Sequence, residues 1–207
     1  MMKTNDAALV AKIEEYLQAH LQEHRYQHVL GVREVAVDLA KRYQAAVYKA
    51  NLAALLHDCA KWMSVPQLHE AVQRYGVQLD EIEQRNASLL HAPVGAAMAK
   101  AEFGVDDPEV LSAVQKHTTG GADMTCMDKI IYVADFSEPT RTYEEAKRVR
   151  ELAYHNLDGA VFEVSLYKIQ HLLEKRMPIH PNTIGAYNQA LQAASYQPEQ
   201  RGLGVRG

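Results

Sequence analysis

LAALLHDCAK, residues 52–61, sets five consecutive apolar side chains directly before an adjacent histidine and aspartate. A run with no polar face has nothing to present to water, so it predicts a helix buried on all sides, over residues 49–59. The same 3.6-residue logic extends in both directions. Upstream, Leu9, Ile13, Tyr16 and Leu17 make one apolar stripe over residues 7–20, with Thr4 or Asn5 available as its cap, and Val29, Val32, Val35, Ala36, Leu39 and Tyr43 make another over residues 26–43. Downstream, Ser64 and Pro66 start a helix that Gly76 ends, residues 91–103 stop at Gly104, and Asp107-Pro108 opens a helix reaching His117. Residues 127–136, 143–154, 158–175 and 183–194 complete the set. No segment alternates apolar and polar residues over six positions between turn residues, so strands are not expected. The predicted architecture is all-α: one helical bundle domain over residues 1–195, followed by a Gly-rich, aperiodic tail over 196–207 that is expected to be disordered.

The chain has 207 residues, 22 Lys and Arg against 26 Asp and Glu, two cysteines and ten histidines. Its net charge of −4 argues against a general nucleic-acid binder. No apolar run approaches the roughly 18 residues of a membrane span. Cys59 and Cys126 cannot build a disulfide scaffold, and with an amphipathic rather than secretory N-terminus the expected compartment is a reducing cytoplasm. No long exposed apolar stripe calls for a second chain, and homodimerisation stays open.

Four positions interrupt apolar helix faces. His28 lies on the stripe of Val32, Val35 and Leu39; His57 and Asp58 follow Leu52–Leu56; Asp135 follows Ile130, Ile131, Val133 and Ala134. A buried carboxylate is expensive unless a positive group pairs with it. Lys61 and Lys129 cannot neutralise two aspartates and serve two histidines, whereas one divalent cation can. Two imidazoles and two carboxylates suit iron, manganese or a similar ion better than structural zinc, which prefers thiolates. A single histidine of this kind is ordinarily a satisfied core residue; the ordered set of four is what points to a metal.

The order His28, His57-Asp58, Asp135 on helices resembles that of the HD-domain metal-dependent phosphohydrolases. RYQHVLGV (25–32), AALLHDCAK (53–61), LLHAPVGA (89–96), KHTTG (116–120), DKIIYVADFSEPTR (128–141) and PNTIGAYN (181–188) are similar to the YqeK-type symmetrical diadenosine tetraphosphatases, over about residues 13–190. Cys59 departs from that pattern, where an aromatic residue is usual. The resemblance implies a bacterial enzyme that cleaves diadenosine tetraphosphate into two ADP with bound iron. By position it implies His28, His57, Asp58 and Asp135 as metal ligands, and Arg25, His91, His117 and Arg141 as phosphate contacts. Thr183 and Asn188 would border the nucleotide, so that the substrate surface spans these residues together with His28, Asp58 and Asp135. Asp58, His117 and Arg141 are then the candidate catalytic residues. Asp58 either orients the attacking water or serves as a pure ligand. His91 and His117 are expected to donate hydrogen bonds to phosphate or to supply a general acid; the alternative is that they hold a second metal. Eleven tyrosines could wall the base, with Tyr132 and Tyr187 nearest the motifs, and His180 either approaches the nucleotide or serves only its loop. His20, His24, His69, His155 and His171 read as surface residues. Two other functions fit the same ligands: a nucleotidase or alarmone hydrolase, and a nucleotide-binding regulatory module without turnover.

Overall fold

Apolar periodicity converts into burial along almost every predicted helix. The structure, a computed structural model, describes residues 4–193. The expected C-terminal tail lies outside these residues, as do the side chains of the cap candidates Thr4 and Asn5. The order is α1 (Thr4–His20), α2 (Glu23–Arg42), α3 (Val47–Leu56), α4 (Val65–Tyr75), α5 (Glu81–Arg85), a single 3-10 turn (Ala87–Leu89), α6 (His91–Phe103), α7 (Pro108–Lys116), α8 (Cys126–Ser137), α9 (Glu144–Ala153), α10 (Leu157–Glu174) and α11 (Pro181–Ala193). No strand occurs among the described residues.

The second helix α2 packs on α3 and α8; α8 in turn touches α3, α7, α9 and α10. Every residue of α3 from Ala50 to Leu56 is buried, and burying each of Leu52, Leu55 and Leu56 contributes about 2 kcal/mol. On α8, Ile130, Ile131, Tyr132, Val133 and Ala134 are all fully buried. Helix boundaries follow local chemistry. The Asp107 carboxylate accepts from the backbone N–H groups of Glu109 and Val110 at the start of α7, and Gly76 and Gly104 end α4 and α6 with φ of 64° and 67°, a left-handed conformation that glycine adopts without steric cost.

Two expectations need correction. The buried helix ends at Leu56, not at residue 59, so the His-Asp pair stands just beyond it. The His57 Nδ1–H donates to the Ala54 carbonyl at 2.6 Å, capturing one of the carbonyls that a helix C-terminus leaves free. The short α5 was not expected; its five residues are too few to show an apolar period, and only Asp80, which accepts from the Ile82 and Glu83 N–H groups, marks its start.

Candidate metal centre and nucleotide cavity

Side chains from five places converge on one point. Arg25 and His28 come from α2, His57 and Asp58 from the turn after α3, His91 from the first residue of α6, His117 from the residue after α7, and Asp135 from α8. His28 Nε2 lies 3.3 Å from His57 Nε2 and 3.1 Å from Asp135 Oδ1. Asp58 Oδ2 is 3.5 Å from His57 Nε2 and 3.8 Å from His28 Nε2, and Asp135 Oδ1 is 4.0 Å from His57 Nε2. Donors held about 2.1 Å from a common octahedral ion stand about 3 Å apart when adjacent and about 4.2 Å apart when opposite. Each of these five separations falls within that range; His28, His57 and Asp58 make one trio about the point, with Asp135 beside His28.

The other oxygen of Asp58 faces a second trio. Asp58 Oδ1 is 3.5 Å from His91 Nε2 and 3.7 Å from His117 Nε2, and those two nitrogens are 3.1 Å apart. The tautomers follow from the backbone. His91 Nδ1–H donates to Ser88 O and His117 Nδ1–H to Val114 O, as His57 does to Ala54 O. A neutral ring whose Nδ1 carries the proton has only a lone pair at Nε2. Burial pushes His91 down to about 4 and His117 to about 3, and burial also lowers His57, so these rings stay neutral. Their Nε2 atoms have no proton to give a phosphate oxygen. Of the roles expected of the two rings, holding a second metal is the one that calls for bare Nε2 atoms. Two bare lone pairs at 3.1 Å repel unless a cation or a shared donor stands near; the Thr118 hydroxyl lies 3.1 and 3.3 Å from them, and the Lys61 ammonium 3.2 Å from His91 Nε2.

Burial would raise the carboxyls of Asp58 and Asp135. The hydrogen bond from protonated His28 and the Lys168 ammonium instead hold Asp135 well below the usual range, and the Lys61 ammonium works in the same direction on Asp58. Burial disfavours charge on His28, but hydrogen bonds to Asp135 and Glu138 and the nearby Asp58 bring it up to about 9.

Glu138 was not singled out from the sequence. It is fully buried, and its Oε1 accepts from His28 Nδ1–H at 3.1 Å, which leaves His28 Nε2 facing the centre. Carboxylates in this position fix the orientation of a ligating histidine and raise its basicity. One sequence signal was present: Gly31, in mid-helix, where glycine costs about 1 kcal/mol relative to alanine. A Cβ at that position would meet Glu138 Oε2 at 2.5 Å. Lys168 on α10 was also missed. Its ammonium donates to His117 O and Thr118 O and lies 3.9 Å from the centre of the Tyr132 ring. Burial, opposed by Asp135, brings it down to about 8.

A cavity of about 830 Å³ opens over the two trios, lined by Arg25, Asp58, Lys61, His91, Asp135 and Arg141 among others. Arg25 Nη1 donates to Asp58 Oδ2 at 3.0 Å. Arg141 Nη2 is 3.8 Å from Asp135 Oδ1, and its buried Nε has no hydrogen-bond acceptor among the described residues. Thr183 lines the cavity, although its hydroxyl proton is committed to Thr119 O. His180 also reaches the cavity, with its ring tied to Asp80 at 2.5 Å. Asn188 is exposed and is not among the lining residues; five residues beyond Thr183 on α11, it falls on another face of the helix. Tyr132 is fully buried, with its hydroxyl on Ser165, and Tyr187 packs on Phe162, so neither candidate base contact reaches the cavity. His20, His24, His69 and His155 are exposed as expected, and the exposed His171 stands on the cavity rim. Cys59 points to the Gly95 carbonyl at 3.7 Å and burial raises its thiol to about 12, which keeps it a core residue.

The HD domain family model matches residues 25–140, the span that holds every member of both trios. Over most of its length the chain is also 41% identical to the symmetrical bis(5'-nucleosyl)-tetraphosphatase of Halalkalibacterium halodurans, covering 86% of this chain and 94% of that one. This chain belongs to the HD-domain family of symmetrical bis(5'-nucleosyl)-tetraphosphatases. The enzyme of that name from Bacillus subtilis is 38% identical over 168 residues, 81% of this chain and 90% of its own. A crystal structure of a predicted HD superfamily hydrolase from Clostridium acetobutylicum, described as involved in NAD metabolism, superimposes with a TM-score of 0.84 at 37% identity. It covers 93% of this chain and 99% of that one. The family and the all-α fold expected from the motifs are therefore borne out.

Proposed function

We propose that this chain hydrolyses diadenosine tetraphosphate at its centre, giving two ADP, with the help of two divalent cations. His28, His57, Asp58 and Asp135 would hold one ion; Asp58, His91 and His117 would hold the other. The observation that carries the reading is the division of one buried carboxylate between two sets of Nε2 lone pairs, beneath a cavity edged with arginines and lysines. The nitrogen and oxygen donors favour iron, with manganese as the closest substitute. The free thiols of Cys59 and Cys126 accord with work in a reducing cytoplasm.

Divalent ions there supply Lewis-acid polarisation of a phosphoryl oxygen and acidify a water. The protein supplies placement and charge. Arg25 and Arg141 flank Asp58 and Asp135, and guanidinium pairs with non-bridging phosphate oxygens without ever losing its charge. The buried Arg141 Nε is held 3.6 Å from Glu138 Oε1, which leaves the Nη groups to meet the polyphosphate. Lys61 and Lys168 spread positive charge along the path, which is what phosphoryl transfer chiefly requires. Water attacks the second phosphorus as the bond to the central bridging oxygen breaks: one ADP carries the new P–O bond, the other departs as a stable anion, and the surplus proton of the water passes to solvent.

The test is chromatography of products after incubation of Fe²⁺- or Mn²⁺-loaded protein with diadenosine tetraphosphate. Two ADP per substrate is the expected result; ATP plus AMP, or no cleavage, refutes the proposal. A parallel panel of mononucleotides and guanosine alarmones separates it from a nucleotidase or alarmone hydrolase.

A further inference from the structure

Among the described residues, the phenylalanine and tyrosines that line the cavity form one cluster. Phe136 and Tyr167 stack with ring centroids 5.8 Å apart and planes 5° from parallel, and Tyr143 meets Phe136 edge-on at 5.8 Å. The three rings come from α8, the residue preceding α9, and α10, and the Tyr143 hydroxyl donates to the Phe136 carbonyl at 3.2 Å. Tyr143 is 41% exposed, so its ring is accessible from the cavity it lines. The cluster also adjoins the phosphate machinery: Phe136 directly follows Asp135, and Arg141 lies two residues before Tyr143. Among the described residues, the rest of the lining, including residues 86–91 and 177–183, offers aliphatic and polar side chains with no aromatic ring except histidine.

We propose that Phe136, Tyr143 and Tyr167 form the stacking platform for one purine of the substrate, and that the other purine has no such platform among the described residues. The inference rests on the proposed hydrolysis and deepens it. Every nucleobase presents a π-face, so a ring platform binds it with little reading of its edge. Arg141, between the rings and Asp135, takes the phosphates of the same half. A symmetrical substrate is thus gripped asymmetrically: one ADP half is anchored by base and phosphates, and the other by phosphates. The retained half is itself ADP, so ADP alone should occupy the anchored position.

The experiment measures binding of ADP and of pyrophosphate to Mn²⁺-loaded full-length protein. Tyr143→Ala and Tyr167→Leu should each weaken ADP about tenfold, the scale of losing one base–aromatic stack, and leave pyrophosphate within about twofold, since no base is involved. Tyr143→Phe, which keeps the ring and loses only the hydroxyl, should bind ADP as the wild type does. Unchanged ADP affinity in both Tyr143→Ala and Tyr167→Leu overturns the platform, as does a parallel loss of ADP and pyrophosphate, which would mark a purely structural role. A wild-type protein that binds ADP with the expected variant pattern but releases no ADP from the dinucleotide would sink the proposed hydrolysis and leave the platform standing.

Discussion

Titration of the metal-free protein with Mn²⁺ between pH 6.5 and 9 examines the centre through its most perturbed histidine. Without metal, His28 is held at about 9 by Asp135, Glu138 and Asp58 against the effect of burial, so at pH 7 it is almost entirely protonated. Its Nε2 can bind an ion only after that proton leaves. Two pH units at 1.36 kcal/mol each make the penalty about 2.7 kcal/mol at pH 7, a factor of about 100 in apparent affinity. Because the proton competes with the metal, affinity should climb about tenfold per unit from pH 7 and level off above the His28 value. The other ligands add little to this slope: burial keeps His57, His91 and His117 low, and Asp58 and Asp135 are already ionised. Calorimetry in two buffers of different ionisation enthalpy should therefore count about one proton released at pH 7 per protein, by the ion that His28 binds and not by the other. Lys168, held near 8, titrates in the same window, so Lys168→Met is the control, and the slope should persist in it. An affinity that stays flat from pH 7 to 9, with no proton released, would refute the assignment of His28 Nε2 as a ligand.

Further outcomes follow from the same geometry. Asp135→Ala should lose metal content and turnover together, by elemental analysis and product assay, and full metal occupancy in that variant would remove Asp135 from the ligand set. Gly31→Ala should drive Glu138 off His28, lowering metal affinity about 10- to 100-fold and destabilising the fold by about 1–3 kcal/mol through overpacking; thermal unfolding and metal titration read the two effects separately. Glu138→Gln should keep the fold while weakening metal to a similar degree. Arg141→Ala should retain its metal and raise KM for the dinucleotide at least tenfold, by about 1.4 kcal/mol or more, and loss of the metal with it would recast Arg141 as a support for Asp135.

Much of the centre was legible because its cost is local. His28 among Val32, Val35 and Leu39, and Asp135 after Ile130–Ala134, are polar groups on faces that the helical period assigns to the core, and such groups need a partner. The roles of His91 and His117 were not legible in the same way. Whether an imidazole gives or accepts at Nε2 depends on which carbonyl takes its other proton, and those carbonyls, Ser88 O and Val114 O, are set by where a turn and a helix end. Asn188 and Thr183 belong to one quoted stretch, yet the helix rotates one of them away from the cavity.

From the amino-acid order alone came the helices, the family and the four polar positions set into apolar faces, since period and desolvation act over neighbouring residues along the chain. Tertiary packing alone decided the division of Asp58 between two trios, the seating of Glu138 behind His28, the approach of Lys168 and the gathering of Phe136, Tyr143 and Tyr167. Each of these joins segments far apart in the chain, His28 to Glu138 across 110 positions, and no local pattern specifies which side chains meet when separate helices pack.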